Sequence, residues 1–132
     1  VDGFVIPVPK KNVQAYKKIA RMAGKIWREY GALEYRECVA EDVKPGKLTS
    51  FPQSVNLKPS ETVIFSWITY KNRAQRDKIN AAVMKDPRIA KMGPDSMPFD
   101  GKRMIYGGFE VLVDMPAPAA RKAAKKTTAK RR

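Results

Sequence analysis

The chain of 132 residues is 43% hydrophobic and 30% charged, and its net charge is +14, which is typical of one soluble domain with an excess of cations. It contains no His and one Cys, which excludes imidazole-based catalysis, His metal ligands, internal disulfides and Cys clusters. We therefore expect no metal site, and no motif indicates a cofactor. No apolar run is long enough to span a membrane, and the N-terminal residues lack the pattern of a signal peptide. We expect a cytoplasmic protein without a membrane partner.

The first half of the chain predicts a strand, a helix and a second strand. Residues 2–8 are apolar and end in a Pro-x-Pro sequence, as strands at a sheet edge often do. Apolar residues recur at three- and four-residue spacing over residues 12–30, which predicts an amphipathic helix. Its apolar stripe consists of Val13, Tyr16, Ile19, Ala20, Ala23, Ile26, Trp27 and Tyr30. Residues 32–41 then predict the second strand.

The second half predicts two more strands with a helix between them. The long connection after the second strand contains Pro-Gly and Pro-Ser turns, and we expect a short strand near residues 48–57. Residues 62–70 are almost continuously apolar, which predicts a strand that is covered on both faces. A capping-box pattern at Asn72 opens a helix that ends before Pro87, with one further turn after it. Residues 103–114 predict the final strand.

The order β-α-β-β-α-β is typical of the ferredoxin-like fold, an α+β architecture with an antiparallel sheet and both helices on one face. Helices on one face leave the other face of the sheet uncovered. The third and fourth predicted strands are nevertheless apolar on both faces. A second copy of the same sheet would cover them, so we expect a homodimer.

Four blocks of sequence resemble the family known as domain of unknown function 1428, or YbaA-like. They are VDGFVIPVPK (1–10), GALEYRECVAEDVKPGK (31–47), TSFPQSV (49–55) and SMPFDGKRMIYGGFEVLV (96–113). The resemblance covers roughly residues 1–115. It implies the dimeric α+β barrel superfamily, in which two ferredoxin-like sheets close into one barrel. It implies no activity, although that superfamily includes small monooxygenases, isomerases, haem enzymes and ligand-sensing domains.

The Gly107-Gly108 pair inside the final strand suggests either a bulge or a close approach by another group. We favour a bulged strand that helps to form the dimer. The alternative is that the bulge opens a pocket lined by Tyr106, Phe109 and Glu110. The basic pair at 102–103 is interpreted as solvated surface.

The second strand places Glu34, Arg36 and Cys38 on one face and Tyr35, Glu37 and Val39 on the other. The simpler interpretation is an ion pair between Arg36 and a carboxylate. The alternative is a carboxylate of raised pKa that accepts a proton beside Tyr35. We expect Cys38 to be a small buried residue, because no His is present to activate it.

Two tryptophans complete the set of pocket candidates. Trp27 lies on the apolar stripe of the first helix, and Trp67 lies in the middle of the third strand. Both are most simply core residues. In this architecture, however, the gap between helix and sheet is also where a pocket forms.

The C-terminal residues differ in composition from the rest of the chain. Residues 116–132 contain no acid and no large apolar side chain, and we expect a disordered tail attached to a folded domain of residues 1–115. Seven basic residues in the tail could bind phosphate backbones without sequence specificity. They are Arg121, Lys122, Lys125, Lys126, Lys130, Arg131 and Arg132.

These observations lead to one favoured function and two alternatives. We expect a small homodimer that binds or transforms an organic molecule in an apolar pocket, by isomerisation or cofactor-independent oxygenation if it is an enzyme. The first alternative is a nucleic-acid-associated protein that binds through its basic tail. The second is a purely structural or partner-binding module.

Overall fold

The computed structural model describes residues 1–93 and 96–118. It contains four strands and four α-helices within these residues, and a short 3₁₀ turn at Lys10–Asn12 leads into the first helix. The elements are β1 (Asp2–Pro9), α1 (Val13–Glu29), β2 (Glu34–Val39), α2 (Phe51–Ser54), β3 (Glu61–Thr69), α3 (Arg73–Lys85), α4 (Pro87–Ala90) and β4 (Ile105–Gly108).

The strands form one open antiparallel sheet in the order β2-β3-β1-β4. The α+β class predicted from the sequence is therefore confirmed. The longest pairing joins β1 and β3, from Asp2 opposite Ile68 to Pro9 opposite Glu61. Because β2 pairs only with β3 within the described residues, it forms one edge of the sheet.

One face of the sheet is covered by α1 and α3. Ile6, Val8 and Ile64 pack there against Tyr16 and Ala20 of α1. A second cluster joins the two helices through Ile26, Ile79 and Val83. The stripe predicted for α1 accounts for its contacts, because residues three and four apart share one face of a helix.

The ends of the two long helices follow their local sequence. Asn72 caps α3, as the sequence predicts, and its side chain accepts a 2.9 Å hydrogen bond from the backbone N–H of Gln75. Gly31, just beyond α1, has φ +118°, a conformation that glycine adopts without strain. Asn12 does not cap α1 with its side chain, which donates instead to the carbonyl of Pro98.

The other face of the sheet is only partly covered. Val5 and Val63 pack against Val55 and Leu57, which follow α2. The strand predicted near residues 48–57 is wrong, because residues 51–54 form a short helix. The local sequence explains this helix. Ser50 caps it, and a proline lies in its first turn, where the backbone N–H would have no partner within the helix.

The final strand is shorter than predicted. It ends at Gly108, and the residues after it are exposed, with Leu112 at 95% exposure. The register from Asp2 opposite Gly108 to Val5 opposite Ile105 is continuous, so the predicted bulge is absent from this strand.

Gly107 and Gly108 instead allow side chains of the same chain to approach closely. A Cβ on Gly108 would lie 2.9 Å from Nη2 of Arg76. The ring of Phe109 lies over both Gly107 and its cross-strand partner Gly3. A Cβ at either position would be in van der Waals contact with this ring. The glycine pair therefore serves packing inside the chain.

Two further predictions are corrected by the structure. Arg103 is not solvated surface: its side chain is 17% exposed and forms a bidentate ion pair with Glu61, whose side chain is 5% exposed. The Arg103 guanidinium also donates to the carbonyls of Val55 and Asn56, and it holds the pKa of Glu61 below its usual range. Cys38 is exposed, because it points to the uncovered face opposite Phe65.

Most of the predicted tail, residues 119–132 with its seven basic candidates, lies outside the described residues. Within the described part of the chain, no helix has both the length and the apolar character needed to cross a membrane.

Candidate functional site

An open groove of about 1090 Å³ lies between α1 and the edge strand β2. Its apolar surface comes from Val13 and Ala20 of α1, from Val39 of β2 and from Ile64 of β3. Charged side chains of α1 and β2 form its margins. The groove combines an apolar surface with polar groups, as ligand sites commonly do.

The polar centre of the groove is the carboxylate of Glu37. The hydroxyl of Tyr16 donates to Oε1 of Glu37 at 2.8 Å, and the hydroxyl of Tyr35 donates to Oε2 at 2.8 Å. Tyr35 and Glu37 share a face because they are two residues apart on a strand, whereas Tyr16 reaches them from α1. Both carboxylate oxygens are therefore held by phenols from two different elements.

Gly24 lets α1 approach the ring of Tyr35. A Cβ at this position would lie 2.7 Å from Cδ1 and 2.9 Å from Cε1 of Tyr35, closer than any real side chain can stand. Glycine in the interior of a helix is unfavourable by itself. Its presence in α1 is explained by the space that it leaves for the Tyr35 ring.

The environment sets the protonation of this cluster. Burial raises the pKa of Glu37, while hydrogen bonds from Tyr16, Tyr35 and Ser66 oppose part of that increase. Burial and the neighbouring Glu37 charge raise the pKa of Tyr16 and of Tyr35 far above the usual value for a phenol. The two phenols therefore stay protonated as donors, and Glu37 is the group of the three whose proton exchange moves from the acidic range toward neutral pH.

Trp27 packs against the Tyr35 ring of this cluster. Its ring centroid lies 6.2 Å from that of Tyr35, and its Nε1 donates to Oδ1 of Asn80 at 3.0 Å. Trp27 does not line the groove itself. It restricts the space into which the Tyr35 ring could move.

Asn80 also belongs to a second buried network, centred on Asp2. The Asp2 carboxylate accepts hydrogen bonds from Tyr70 at 3.2 Å, from Asn80 at 3.2 Å and from Arg76 at 3.0 Å. Burial and the Asp2 carboxylate raise the pKa of Tyr70. This network ties β1 to α3, and it does not open into the groove beside Glu37.

The remaining candidates from the sequence lie elsewhere. Trp67 is on the opposite face of the sheet, with its ring centroid 5.6 Å from that of Phe65. Tyr106 is 72% exposed and stacks on Phe4 at a centroid distance of 6.1 Å. Phe109 and Glu110 are exposed beyond the end of β4. The structure thus brings together Trp27, Tyr35 and Glu37, and it separates the other four from them.

Two charged residues of β2 beside the groove pair with each other. Arg36 lies 3.9 Å from Glu34 on the exposed side of β2, which is the ion pair that the simpler interpretation predicted. Within the described residues, no three carboxylate or thiol groups lie close enough together to hold a metal ion.

Sequence reasoning missed the parts that Tyr16 and Gly24 play in this site. Tyr16 was interpreted only as part of the apolar stripe of the first helix, although its hydroxyl needs a partner when buried. A glycine in the middle of a strong helix pattern is the signal for close packing that could have identified Gly24.

Comparison with known proteins assigns the sequence to a family. Residues 1–101 match the family described as "Protein of unknown function (DUF1428)". The chain is also 49% identical over 114 residues to "Uncharacterized protein YbaA" of Escherichia coli (strain K12) and to the protein of the same name in Shigella flexneri. Each alignment covers 86% of this chain and 97% of the relative. The groove with Tyr16, Tyr35 and Glu37 lies inside the range that matches the family.

Proposed function

The chain belongs to the DUF1428 family, and we propose that it is a homodimer that binds or transforms a small organic molecule in the groove between α1 and β2. The observation that carries this proposal is the Glu37 carboxylate, held by two tyrosine hydroxyls at the wall of the groove. Burying a carboxylate costs free energy unless it is well paired. Packing alone would be served as well by an apolar residue at this position.

The cluster suits proton transfer to and from an organic molecule. A carboxylate whose pKa is raised is a stronger base than an ordinary one, and it can exchange a proton closer to neutral pH. The hydroxyls of Tyr16 and Tyr35 hold the carboxylate in place. Because each donates its one proton to Glu37, their oxygens can only accept hydrogen bonds from a bound group. Abstraction of a proton from an acidic C–H or O–H group begins both isomerisation and cofactor-independent oxygenation. If the protein is an enzyme, we assign the role of base to Glu37.

The dimer is supported by the uncovered face of the sheet. The strand order read from β4 to β2, 4-1-3-2, supports the proposal of a ferredoxin-like sheet. Phe51, Phe65 and Ile105 are each exposed by more than 40% on the face opposite α1 and α3. Contiguous apolar surface of this kind usually marks an interface.

The residues after β4 add a second argument for the dimer. Five of the residues at 109–115 are large, apolar and exposed: Phe109, Val111, Leu112, Val113 and Met115. Apart from the backbone hydrogen bonds of Phe109 with Val1, this segment pairs with no strand of the described chain. We propose that a second copy covers both this segment and the open face, so that the two sheets form a dimeric α+β barrel. A self-complementary face of this type is what a two-fold dimer requires.

Thermal unfolding in the presence of small organic molecules tests the binding proposal. The full-length protein and two variants, Glu37→Gln and Glu41→Gln, would be screened against a set of carboxylic acids, phenols and ketones. Glu41 is exposed and lies outside the groove, so its substitution is a matched control. Bound ligands raise the midpoint of unfolding.

We expect compounds that stabilise both the wild type and Glu41→Gln and that stabilise Glu37→Gln much less. Compounds that stabilise all three proteins equally would place the ligand away from Glu37. Failure of every compound in a chemically broad set would contradict small-molecule binding in the groove.

A second candidate function is carried by the charge of the C-terminal residues. Seven basic residues without an acid favour binding to nucleic acid through release of counterions. If all seven contact duplex DNA, log K should fall with log salt concentration with a slope of about −6. Removal of residues 117–132 should then abolish binding to DNA, and tight binding by the shortened chain would refute the role of the tail.

A further inference from the structure

We propose that the ligand of the groove is an organic anion, an apolar or aromatic body that carries a carboxylate or similar acid group. This inference rests on the proposed function of the groove. It begins with three basic residues of α1 that border the groove, Lys17, Arg21 and Lys25. They are spaced four residues apart and are exposed, so they form a stripe along one side of the helix. We call these three residues the basic stripe.

The basic stripe has no acidic partner in the described part of the chain. None of its three side chains forms an ion pair or a side-chain hydrogen bond with a described residue. The ion pairs of those residues involve other basic groups. Before Glu29 at its C-terminal end, α1 contains no acidic residue. Like charges one turn apart repel each other, so the stripe weakens the helix unless an anion lies beside it.

The carboxylates around the groove, in contrast, are already paired. Glu29 accepts a 2.8 Å hydrogen bond from Arg88, and Glu34 lies 3.9 Å from Arg36. Both oxygens of Glu37 are held by phenols. The charge without a partner at the margin of the groove is therefore positive, and it would attract the acid group of a ligand to the margin, away from the negative charge of Glu37.

The position of the basic stripe defines how such a molecule would lie. The apolar surface between the helix and β2 would take the body of the ligand, next to Ile64 and Val39. The acid group would then point outward to the basic stripe at the margin, where lysine and arginine side chains reach it with little loss of hydration. In this orientation the opposite end of the ligand faces Glu37.

Two molecules of the same shape test this inference. 2-Naphthoate carries a negative charge, whereas 2-naphthamide is its neutral counterpart. Binding of each to the full-length protein would be measured by isothermal titration calorimetry at low and at physiological salt. A variant that replaces the whole basic stripe by Gln would be compared with a control that replaces Lys78, Lys85 and Lys91. The control has the same change in charge, and its three positions are exposed and outside the groove.

We expect naphthoate to bind about tenfold more tightly than naphthamide at low salt, with a smaller ratio at physiological salt. Substitution of the basic stripe should weaken naphthoate binding by about tenfold and leave naphthamide binding within about twofold. The control variant should bind both molecules as the wild type does.

Equal binding of the two molecules to the wild type would overturn the preference for an anion and leave the proposed groove function standing. Binding of neither would count against the groove itself as well. A 20-base-pair DNA duplex provides a polyanion for comparison. If substitution of the basic stripe weakens binding of the duplex but not of naphthoate, the stripe serves nucleic acid and the inference is wrong.

Discussion

Replacing Gly24 by Ala tests how α1 is packed against the candidate site. In an ordinary helix interior this change stabilises a protein by about 1 kcal/mol, because alanine is the better helix former. Here the new Cβ would lie 2.7 Å from Cδ1 of Tyr35. We therefore expect the opposite sign at this position.

The expected magnitude follows from the geometry around Tyr35. Carbon atoms pack at about 3.5–4.0 Å, so the ring must retreat by about 1 Å. Trp27 lies behind the ring and limits that movement. Overpacking of this kind costs about 1–3 kcal/mol. Displacing the hydroxyl from its 2.8 Å hydrogen bond to Glu37 adds about 1.5–3 kcal/mol, because the acceptor is charged. After the gain in helix propensity, we expect a net loss of about 1.5–5 kcal/mol in the free energy of unfolding.

Urea denaturation of four proteins measures this effect. They are the wild type, Gly24→Ala, Tyr35→Ala and the double variant. In the Tyr35→Ala background the ring is absent, so Gly24→Ala should stabilise the protein by about 1 kcal/mol. A stabilising effect of Gly24→Ala in the wild-type background would refute the close packing of α1 against Tyr35.

Three further predictions concern the carboxylates and the open face. The pKa of Glu37 is higher in the folded chain than its ordinary value of 4.5. The stability that this group contributes is therefore fully present below pH 4.5, and it is lost as the pH rises through the pKa of the folded state. In urea denaturation, the advantage of the wild type over Glu37→Gln should therefore shrink as the pH rises from about 4.5; a constant difference would contradict the raised pKa. Glu61→Gln should cost about 1–3 kcal/mol in urea denaturation, because it removes the charge of the bidentate pair with Arg103, although Asp100 still lies 3.0 Å from that guanidinium; an unchanged free energy of unfolding would refute this role. Phe65→Asp should convert the proposed dimer to monomer in sedimentation velocity, whereas Leu48→Asp, at a residue that is 97% exposed, should not. Retention of the dimer by Phe65→Asp would show that the interface lies elsewhere.

The main elements of the fold were predictable because their patterns are strong and local. The stripe of α1 and the apolar run of β3 indicate a buried helix face and a central strand without any knowledge of partners. The end of β4 was not predictable in this way. Residues 109–114 have the composition of a strand, but a strand also needs a neighbour, and composition does not reveal whether the chain supplies one.

Two parts of the fold were misread for different reasons, one a contact between distant residues and the other a local cap. Arg103 was interpreted as surface because neighbouring charges usually are, yet it is buried against Glu61, which lies 42 positions earlier in the sequence. The short helix at residues 51–54 begins after a local cap at Ser50. This cap can be found in the sequence, but turn residues lie on either side of it and favour a different interpretation.

The candidate site was predictable in part. Alternation along β2 places Tyr35 and Glu37 on one face, and that follows from the period of a strand. Tyr16 joins them only because α1 crosses the sheet at this point, which depends on the tertiary packing of Gly24. The network around Asp2 joins residues that are 68 to 78 positions apart, a separation at which local patterns carry no information.

Native mass spectrometry of the full-length protein, purified gently from cells, tests most directly whether it is a homodimer with a small-molecule site. We predict the mass of two chains together with a reproducible additional mass. That additional mass should be lost in Tyr35→Ala and retained in Glu41→Gln, because only the first substitution changes the groove. A monomer without additional mass, in the wild type and in both variants, would contradict the proposed dimer and its ligand site.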